Sequence, residues 1–334
     1  RSFHVTGVQT CALPISVSTA EQHTVRTDVA LSFATANVRT FYKGADGTPG
    51  KLHYVREQFK HLHLHFLGLQ ETRTTACSTT TASVLRLASG DHHGHQGVEL
   101  WVNLNQPYGW QNGRPLYFTK KDIVVTFASP RCMLARVHNL HLDFMIAVIY
   151  ALQSGIPHSE RADWWNDTMI SIQDAVQDKD LVLLIDANAA SGEQDARHVF
   201  QHDDKHTSGT GFLRELLETH CLCLPATSDR HQGDQQTWLC PATQQGHRID
   251  YVAIPISWFS SCTTSRTIPE LDLGNIGDHT AVGLEVQWFQ FSSHSPSNGH
   301  NARNYDRTAI AHSTLGPQLC GYVPLDWDAD IATQ

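Results

Sequence analysis

The feature that most constrains the fold is an unbroken apolar segment at residues 181–185, with the sequence LVLLI, which ends directly in Asp186. Successive side chains of a β-strand point to opposite faces of the sheet, so a strand without polar positions must be covered on both faces. The segment therefore predicts a central strand that lies between two apolar layers.

Short apolar strands and helical repeats alternate around this segment. Further strands are predicted at residues 30–38, 64–69, 97–103, 123–128, 133–138, 142–150, 249–254 and 280–286. Apolar residues at helical spacing predict helices at residues 52–62, 157–176 and 212–219. Strands outnumber helices, and several follow one another as hairpins do. The pattern predicts an α/β (α+β) four-layer sandwich, in which two mostly antiparallel β-sheets pack face to face with helices on the outer faces.

The strand pattern also bounds the domains. Residues 1–16 resemble the translation of a sequencing-adapter oligonucleotide, so we expect an artefact that carries no domain. Residues 28–290 hold the one predicted domain. From residue 291 the composition turns to Ser, His, Asn and Pro and the periodicity fades, which predicts a linker and a tail with little structure of its own over residues 291–334.

Charge and cysteine content indicate which partners and which cellular compartment suit the protein. The formal net charge of −9 argues against a partner that needs a broad basic surface, although carboxylates of a metal site would contribute to it. No apolar run approaches the ~20 residues of a membrane span, so no membrane is expected. The eight cysteines show no CxxC pair and no zinc-type spacing. This predicts free thiols in an intracellular compartment, nuclear or cytoplasmic.

Acidic and amide side chains interrupt the apolar strands at their ends. Strand ends from two packed sheets can converge on one rim and line a cleft there. Carboxylate and amide oxygens are the ligands that Mg²⁺ prefers. Each position alone is typical of a turn or a cap, whereas the combination predicts a metal site. The residues at these strand ends are Asn37, Glu71, Asp186, Asn188, Asp250, Asp278 and His279.

The order of these residues resembles the motifs of the endonuclease/exonuclease/phosphatase superfamily. Two positions depart from the family pattern, since Ile185 replaces a usual Gly and Gly277 a usual Ser. The matching segments are Asn37-Val38-Arg39, Leu69-Gln70-Glu71, Ile149-Tyr150, Asp186-Ala187-Asn188, Arg248-Ile249-Asp250-Tyr251 and Asp278-His279.

The resemblance implies a Mg²⁺-dependent phosphodiesterase, with Mn²⁺ as a substitute ion. It assigns metal binding to Glu71, Asn37 and Asp278. The residues that it places in catalysis are Asp186 for the attacking water, Asn188 for a phosphate oxygen, His279 as acid or base, Asp250 to orient His279, and Tyr150 at the leaving group. The residues expected to contact phosphate or DNA are Arg39, Arg73, Gln153 and Arg131.

One segment points to a branch of the superfamily. Residues 97–101, GVELW, resemble a strand in the apurinic-type endonuclease domain of non-LTR retrotransposon polyproteins. That branch implies nicking of one DNA strand to leave a 3′-hydroxyl, in a polyprotein fused to a reverse transcriptase. Two alternatives stay open. One is a small-molecule phosphoesterase acting on a phosphoinositide, sphingolipid or nucleotide, which fits the acidic charge slightly better; the other is an inactive retroelement relic.

Overall fold

The computed structural model describes residues 23–41, 50–90, 96–201, 207–274 and 278–294. One compact unit spans Thr24–Ser292. A second unit, Arg1–His23 with Ser293–Gln334, falls almost wholly outside the described residues. The adapter-like residues 1–16 and the predicted tail from residue 295 onward lie outside them too, and so does Gly277.

Strands dominate the described part of the chain, with three α-helices among them. The first nine strands are β1 His23–Asn37, β2 Phe66–Gln70, β3 Cys77–Thr81, β4 Val84–Ala88, β5 Val98–Asn103, β6 Pro107–Gln111, β7 Arg114–Tyr117, β8 Ile123–Ser129 and β9 Cys132–His138. The remaining strands are β10 Asp143–Tyr150, β11 Asp180–Asp186, β12 Leu222–Cys223, β13 His231–Gln232, β14 Trp238–Leu239, β15 Gly246–His247, β16 Asp250–Pro255, β17 Cys262–Ile268 and β18 Ala281–His294. The helices are α1 Lys51–His61, α2 His158–Val176 and α3 Thr210–Thr219.

The strands form two large sheets and one short hairpin. The ten-stranded sheet has the order β13-β17-β18-β1-β2-β5-β4-β3, and β6 joins it beside β1 and carries β7. The six-stranded sheet has the order β12-β16-β11-β10-β9-β8, and β14 pairs with β15. Most neighbouring strands are antiparallel, but three pairs run parallel: β1 with β2, β10 with β11, and the short β13 with β17. The first two of these parallel pairs lead to the functional site.

Three apolar clusters account for the layering. The first fills the space between the two sheets and includes Phe33 of β1 and Leu184 of β11. The second packs α2 and α3 against the outer face of the six-stranded sheet. The third packs α1 against the outer face of the ten-stranded sheet, where Phe59 meets Trp101. The predicted four-layer sandwich with outer helices is therefore confirmed.

The apolar segment of residues 181–185 lies in β11, at the centre of its sheet. Val182 and Leu184 face the other sheet, whereas Leu181, Leu183 and Ile185 face the helices. The strand is covered on both faces, as its unbroken apolar sequence predicts.

Several strands differ from the prediction because their sequences are polar. Strand β3 reads CSTTT and is mostly exposed, and β17 reads CTTSRTI, so neither carries an apolar run. Strand β1 begins at His23, well before the predicted residue 30. Strand β18 continues to His294, past residue 291 where the linker was predicted to begin. Pairing with a neighbouring strand stabilises such segments, and hydrophobic periodicity does not report it.

Two predictions about the surroundings can be compared with the described residues. No helix among them combines the length and the apolar character needed to cross a membrane. The six cysteines described there are free thiols. Cys221 is exposed, whereas Cys223, in the short strand β12, is buried.

Gly68 sets how closely the two sheets approach each other. A Cβ atom at Gly68 would lie 2.5 Å from Leu184 Cβ, which is too close for two non-bonded carbon atoms. Two positions along β2, Gln70 donates from Nε2 to Thr35 Oγ1 at 2.9 Å and to the Leu184 carbonyl at 3.1 Å. Close backbone packing and a buried amide therefore join β2 to β11 just below the strand ends.

We expect Gly68→Ala to lower the free energy of unfolding by about 1–3 kcal/mol, because the new methyl group forces β2 and β11 apart. Gly211→Ala is the matched control, since a Cβ there meets no atom within 4 Å and lies in α3. Alanine in a helix should leave stability unchanged or raise it by up to about 1 kcal/mol. Urea denaturation measures both; a Gly68→Ala midpoint equal to wild type would contradict the packing account.

Candidate active site

Strand alternation brings the predicted site residues to one rim. In β1, Phe33 faces the inter-sheet core, and every second residue after it faces the same way, ending with Asn37. The same alternation takes β11 from Leu184 to Asp186 and β10 to Tyr150. On one side of β11, Asp186 pairs with Tyr150 of β10; on the other side it pairs with Asp250 of β16. The ends of two parallel strand pairs, β1 with β2 and β10 with β11, therefore meet between the sheets.

Asn37 links the two sheets at this rim. Its Nδ2 donates to Glu71 Oε1 and to Asp186 Oδ2, both at 2.9 Å, and its Oδ1 accepts the Arg39 N–H at 2.8 Å. The Tyr150 hydroxyl donates to the same Glu71 oxygen at 2.7 Å. An amide that is buried with every hydrogen bond satisfied holds its partners rigidly. Glu71 and Asp186 are thereby fixed relative to each other.

Asp250 and His279 form a buried pair. His279 Nδ1 donates to Asp250 Oδ2 at 2.9 Å, and the Thr237 hydroxyl accepts the Asp250 N–H at 3.0 Å. Burial alone would lower the pKa of His279, but the Asp250 carboxylate, with Asp186 and Asp278, outweighs it and raises this pKa to about 9. The imidazole is therefore positively charged at neutral pH and has its Nε2–H available for another acceptor.

The pKa of Asp186 is raised as well, mainly because the carboxyl group is buried. Its complete burial, followed by the charge of Asp250, raises the pKa of Asp186 to about 7. The Asn37 amide and the Asn188 N–H, which donates to Asp186 Oδ1 at 3.0 Å, offset part of that shift. A carboxyl group with a pKa near neutrality can take up or release a proton at physiological pH.

Four non-glycine residues at the rim have left-handed backbone conformations, with φ of 58° at Arg39, 53° at Glu71, 53° at Arg73 and 47° at Asn188. Such conformations are uncommon for side chains of this size and persist only where the surrounding structure imposes them. All four belong to the predicted site set.

The cleft in front of these groups has a volume of about 510 Å³. Glu71 and Asp278 line it, whereas Asp186 and Asp250 are buried. The full lining consists of Asn37, Arg39, Glu71, Arg73, Gln153, Ser154, Gly155, Asn188, Thr207, Trp238, His247, Ile249, Asp278 and His279.

The donor atoms fit a divalent cation. Among the described residues, Asp250 Oδ1 and Asp278 Oδ1 are buried carboxylate oxygens without a hydrogen-bond partner. Buried anionic oxygens are costly unless a cation or donor meets them, and Arg39 Nε, 3.9 Å from Asp278 Oδ1, compensates that oxygen in part. Two ligand sets are possible. In the first, Asp186, Asp250 and His279 offer atoms within 4.8 Å of one another. The predicted set of Glu71, Asn37 and Asp278 has the better access, because all three line the cleft.

The four predicted phosphate or DNA contacts fall into two groups. Arg39 and Arg73 line the cleft; Arg39 Nε lies 3.9 Å from Asp278 Oδ1, and Arg73 Nη2 lies 3.3 Å from Glu71 Oε2. Gln153 also lines it and donates to the Tyr150 hydroxyl at 3.2 Å.

Arg131 has a different position. Its guanidinium lies 4.3 Å from the Tyr150 ring centroid, and its Nη1 donates to the Tyr150 and Ala151 carbonyls at 3.2 Å. Arg131 thus supports Tyr150 from behind, and its contact with DNA stays a prediction. Burial and the neighbouring Glu71 raise the pKa of Tyr150, which keeps its hydroxyl protonated.

Sequence reasoning missed Trp238 and its neighbour Thr237. Trp238 Nε1 donates to Asp278 Oδ2 at 3.0 Å, and its ring lies 6.4 Å from that of His279. The Thr237 hydroxyl accepts the N–H groups of Ile249 and Asp250. Trp238 begins the two-residue strand β14, directly after Thr237, and both β14 and its partner β15 are too short for a periodic signal.

Comparisons with known proteins address the fold. No protein-family model and no curated protein sequence matches the chain. The 3′-5′ exonuclease NExo from Neisseria meningitidis is similar in structure, with 18% identity and a TM-score of 0.56 over 77% of this chain and 100% of that chain. An AP endonuclease from Archaeoglobus fulgidus shows 17% identity and a TM-score of 0.54 over 76% and 98% of the two chains.

A third similar structure is the endonuclease domain of TRAS1, a telomere-specific non-LTR retrotransposon, with 13% identity and a TM-score of 0.51 over 77% of this chain and 98% of that domain. Structural similarity at identities this low shows a shared fold and does not show a shared activity. The chain therefore has the endonuclease/exonuclease/phosphatase fold, as the motif resemblance predicts.

We expect Asp250→Asn to lower the pKa of His279 clearly below about 9, since Asp250 makes the largest contribution to the raised pKa and only Asp186 and Asp278 would then oppose burial. The stabilisation from the raised pKa is fully present below pH 6.5 and is lost as the pH rises through about 9. The variant should lose that stabilisation. NMR titration of the His279 ring measures the change, with exposed Asp163→Asn as control; a His279 pKa near 9 in Asp250→Asn would contradict the pairing.

Proposed function

We propose that the chain is a Mg²⁺-dependent phosphodiesterase that nicks one strand of DNA and leaves a 3′-hydroxyl, as an endonuclease of a non-LTR retrotransposon. One observation carries the proposal. The Asn37 amide joins Glu71 of one sheet to Asp186 of the other, beside the charged Asp250–His279 pair and at the edge of an open cleft.

In this proposal Glu71, Asn37 and Asp278 hold the Mg²⁺ ion, which supplies positive charge against the phosphate oxygens and acidity to water. Mn²⁺ would serve as a substitute. Glu71 is fixed for this task by the amide of Asn37 and the hydroxyl of Tyr150. Tyr150 thus has a positioning role in the free protein, beside the role at the leaving group that the sequence predicts.

The chain's own residues then divide the proton chemistry. Asp186, which the cation would keep in its ionised form, takes a proton from the attacking water. The water oxygen bonds to phosphorus, the bond from phosphorus to the 3′-oxygen breaks, and that oxygen takes a proton from solvent water. His279 donates from Nε2 to a phosphate oxygen, because Asp250 occupies Nδ1. Asn188 holds a second phosphate oxygen.

Charge distribution supports DNA as the partner despite the overall charge of −9. Arg39 and Arg73 follow Asn37 and Glu71 by two residues and line the same cleft, with about 44% and 36% of their side chains exposed. Guanidinium groups at a rim bind backbone phosphates and position the duplex. In this reading residues 28–290 are the catalytic domain and residues 291–334 a connector toward a reverse transcriptase, with the protein acting in the nucleus or cytoplasm.

The second candidate is a phosphoesterase acting on a small molecule. Two observations favour it: the acidic net charge, and a cleft of about 510 Å³, which lies in the usual range for small-molecule sites. The third is an inactive relic, which the complete set of acid, amide and imidazole groups disfavours.

We expect purified protein to nick supercoiled plasmid in the presence of Mg²⁺. Glu71→Gln and His279→Ala should each lower the rate about 10²–10⁴-fold, because each removes a group that acts only on the reacting phosphate or its cation. Gel electrophoresis of the plasmid gives the rates, and a polymerase that extends the nick reports its 3′-hydroxyl.

Glu215→Gln, an exposed change on α3, is the matched control and should nick at the wild-type rate. Absence of nicking together with phosphate release from a soluble ester would support the small-molecule alternative. Folded protein that hydrolyses neither substrate would support the relic.

A further inference from the structure

The turn that carries Glu71 depends on the start of β5 for its shape. Glu71 and Arg73 both have a φ of 53°, so the turn holds two strained residues in three positions. The Thr72 N–H donates to the Gly97 carbonyl at 3.1 Å, and the Arg73 N–H to the Gln96 carbonyl at 2.7 Å. These two bonds keep the strained turn against the neighbouring strand.

Gly97 makes that approach possible. Its φ is 110°, a backbone conformation that residues with a side chain rarely adopt, and a Cβ there would lie 2.8 Å from Thr72 Oγ1. Its own N–H donates to the Pro130 carbonyl at 2.9 Å. The glycine is therefore required where the turn and β5 touch.

Glu99, two residues further along β5, is a fully buried carboxylate that takes four hydrogen bonds. Arg86 donates from Nε at 2.7 Å and from Nη2 at 2.6 Å, and Trp101 Nε1 donates at 2.7 Å. The fourth donor is the Thr74 hydroxyl at 2.5 Å, which belongs to the segment leaving Glu71. A buried carboxylate with this many charge-assisted bonds fixes the groups that surround it.

Trp101 extends the network to the end of β1. Its ring stacks on Phe41 with centroids 5.8 Å apart, and the Phe41 N–H donates to the Thr72 carbonyl at 2.9 Å. Phe41 follows Arg39 by two residues. Glu99 therefore contacts, through Thr74 and Trp101, the two chain segments that carry Asn37 and Glu71.

We infer that Glu99 is a positioning residue for the cation site: it holds the turn of residues 71–74 so that the Glu71 carboxylate meets the ion in a fixed orientation. The inference rests on the proposed function, in which Glu71 is a metal ligand. It also gives a physical role to the GVELW segment, which provides Gly97 for the close approach and Glu99 for the anchor.

Thr74→Val tests the link, because it removes one hydroxyl and keeps the volume of the side chain. The affinity for Mn²⁺, followed by electron paramagnetic resonance on the full chain well below its melting temperature, should fall about three- to tenfold. Thr74→Ser keeps the hydroxyl and should bind Mn²⁺ within twofold of wild type. Thr80→Val, an exposed change on β3, is the matched control and should do the same.

The Mg²⁺ dependence of nicking distinguishes the positioning role from a purely structural one. Loss of positioning raises the Mg²⁺ concentration needed for half-maximal nicking, while saturating Mg²⁺ restores the rate of Thr74→Val to near wild type. Wild-type Mn²⁺ affinity in Thr74→Val, or equal losses in Thr74→Val and Thr80→Val, would overturn the inference while Glu71→Gln still weakens binding. If Glu71→Gln binds Mn²⁺ as wild type does, both the metal assignment and the inference are overturned.

Discussion

The site depends on one buried hydrogen-bonded amide, that of Asn37, which joins a carboxylate from each sheet. The amide can do so only because the sheets approach closely at Gly68 and Leu184 and because both strands present their last residue to the space between them. Two parallel pairs, β1 with β2 and β10 with β11, end at that edge. The sandwich therefore determines the distance between the acids, and loops contribute mainly the cleft wall.

Charge balance is the second constraint. Asp186, Asp250 and Asp278 surround one imidazole, and their field raises the pKa of His279 to about 9. One positive ring cannot neutralise three carboxylates. Burial, with the charge of Asp250 added to it, raises the pKa of Asp186 to about 7, and two buried carboxylate oxygens in the described residues lack a donor. A divalent cation would lower the energy of such a cluster and return Asp186 to its ionised form.

The sequence predicts the layers, and it predicts that the candidate site residues lie at strand ends, because both follow from local patterns. The apolar run of β11 requires cover on two faces, and alternation from Phe33 leads to Asn37. The sequence cannot predict β3 or β17, because their polar residues give no apolar periodicity and their pairing partners are known only from the fold. It also cannot show that Arg131 supports the Tyr150 ring, or that Trp238 reaches Asp278, because those contacts depend on the path of the backbone between distant segments.

The position of the bound cation tests the account most directly. Crystals soaked in Mn²⁺ would show the ion by anomalous scattering, independently of any assay. The account predicts a peak within bonding distance of Glu71 and Asp278, in the open cleft, with the Asp250–His279 hydrogen bond intact. A peak between Asp186, Asp250 and His279, which replaces that hydrogen bond, would contradict the assignment of the metal ligands and of His279 as a donor to phosphate.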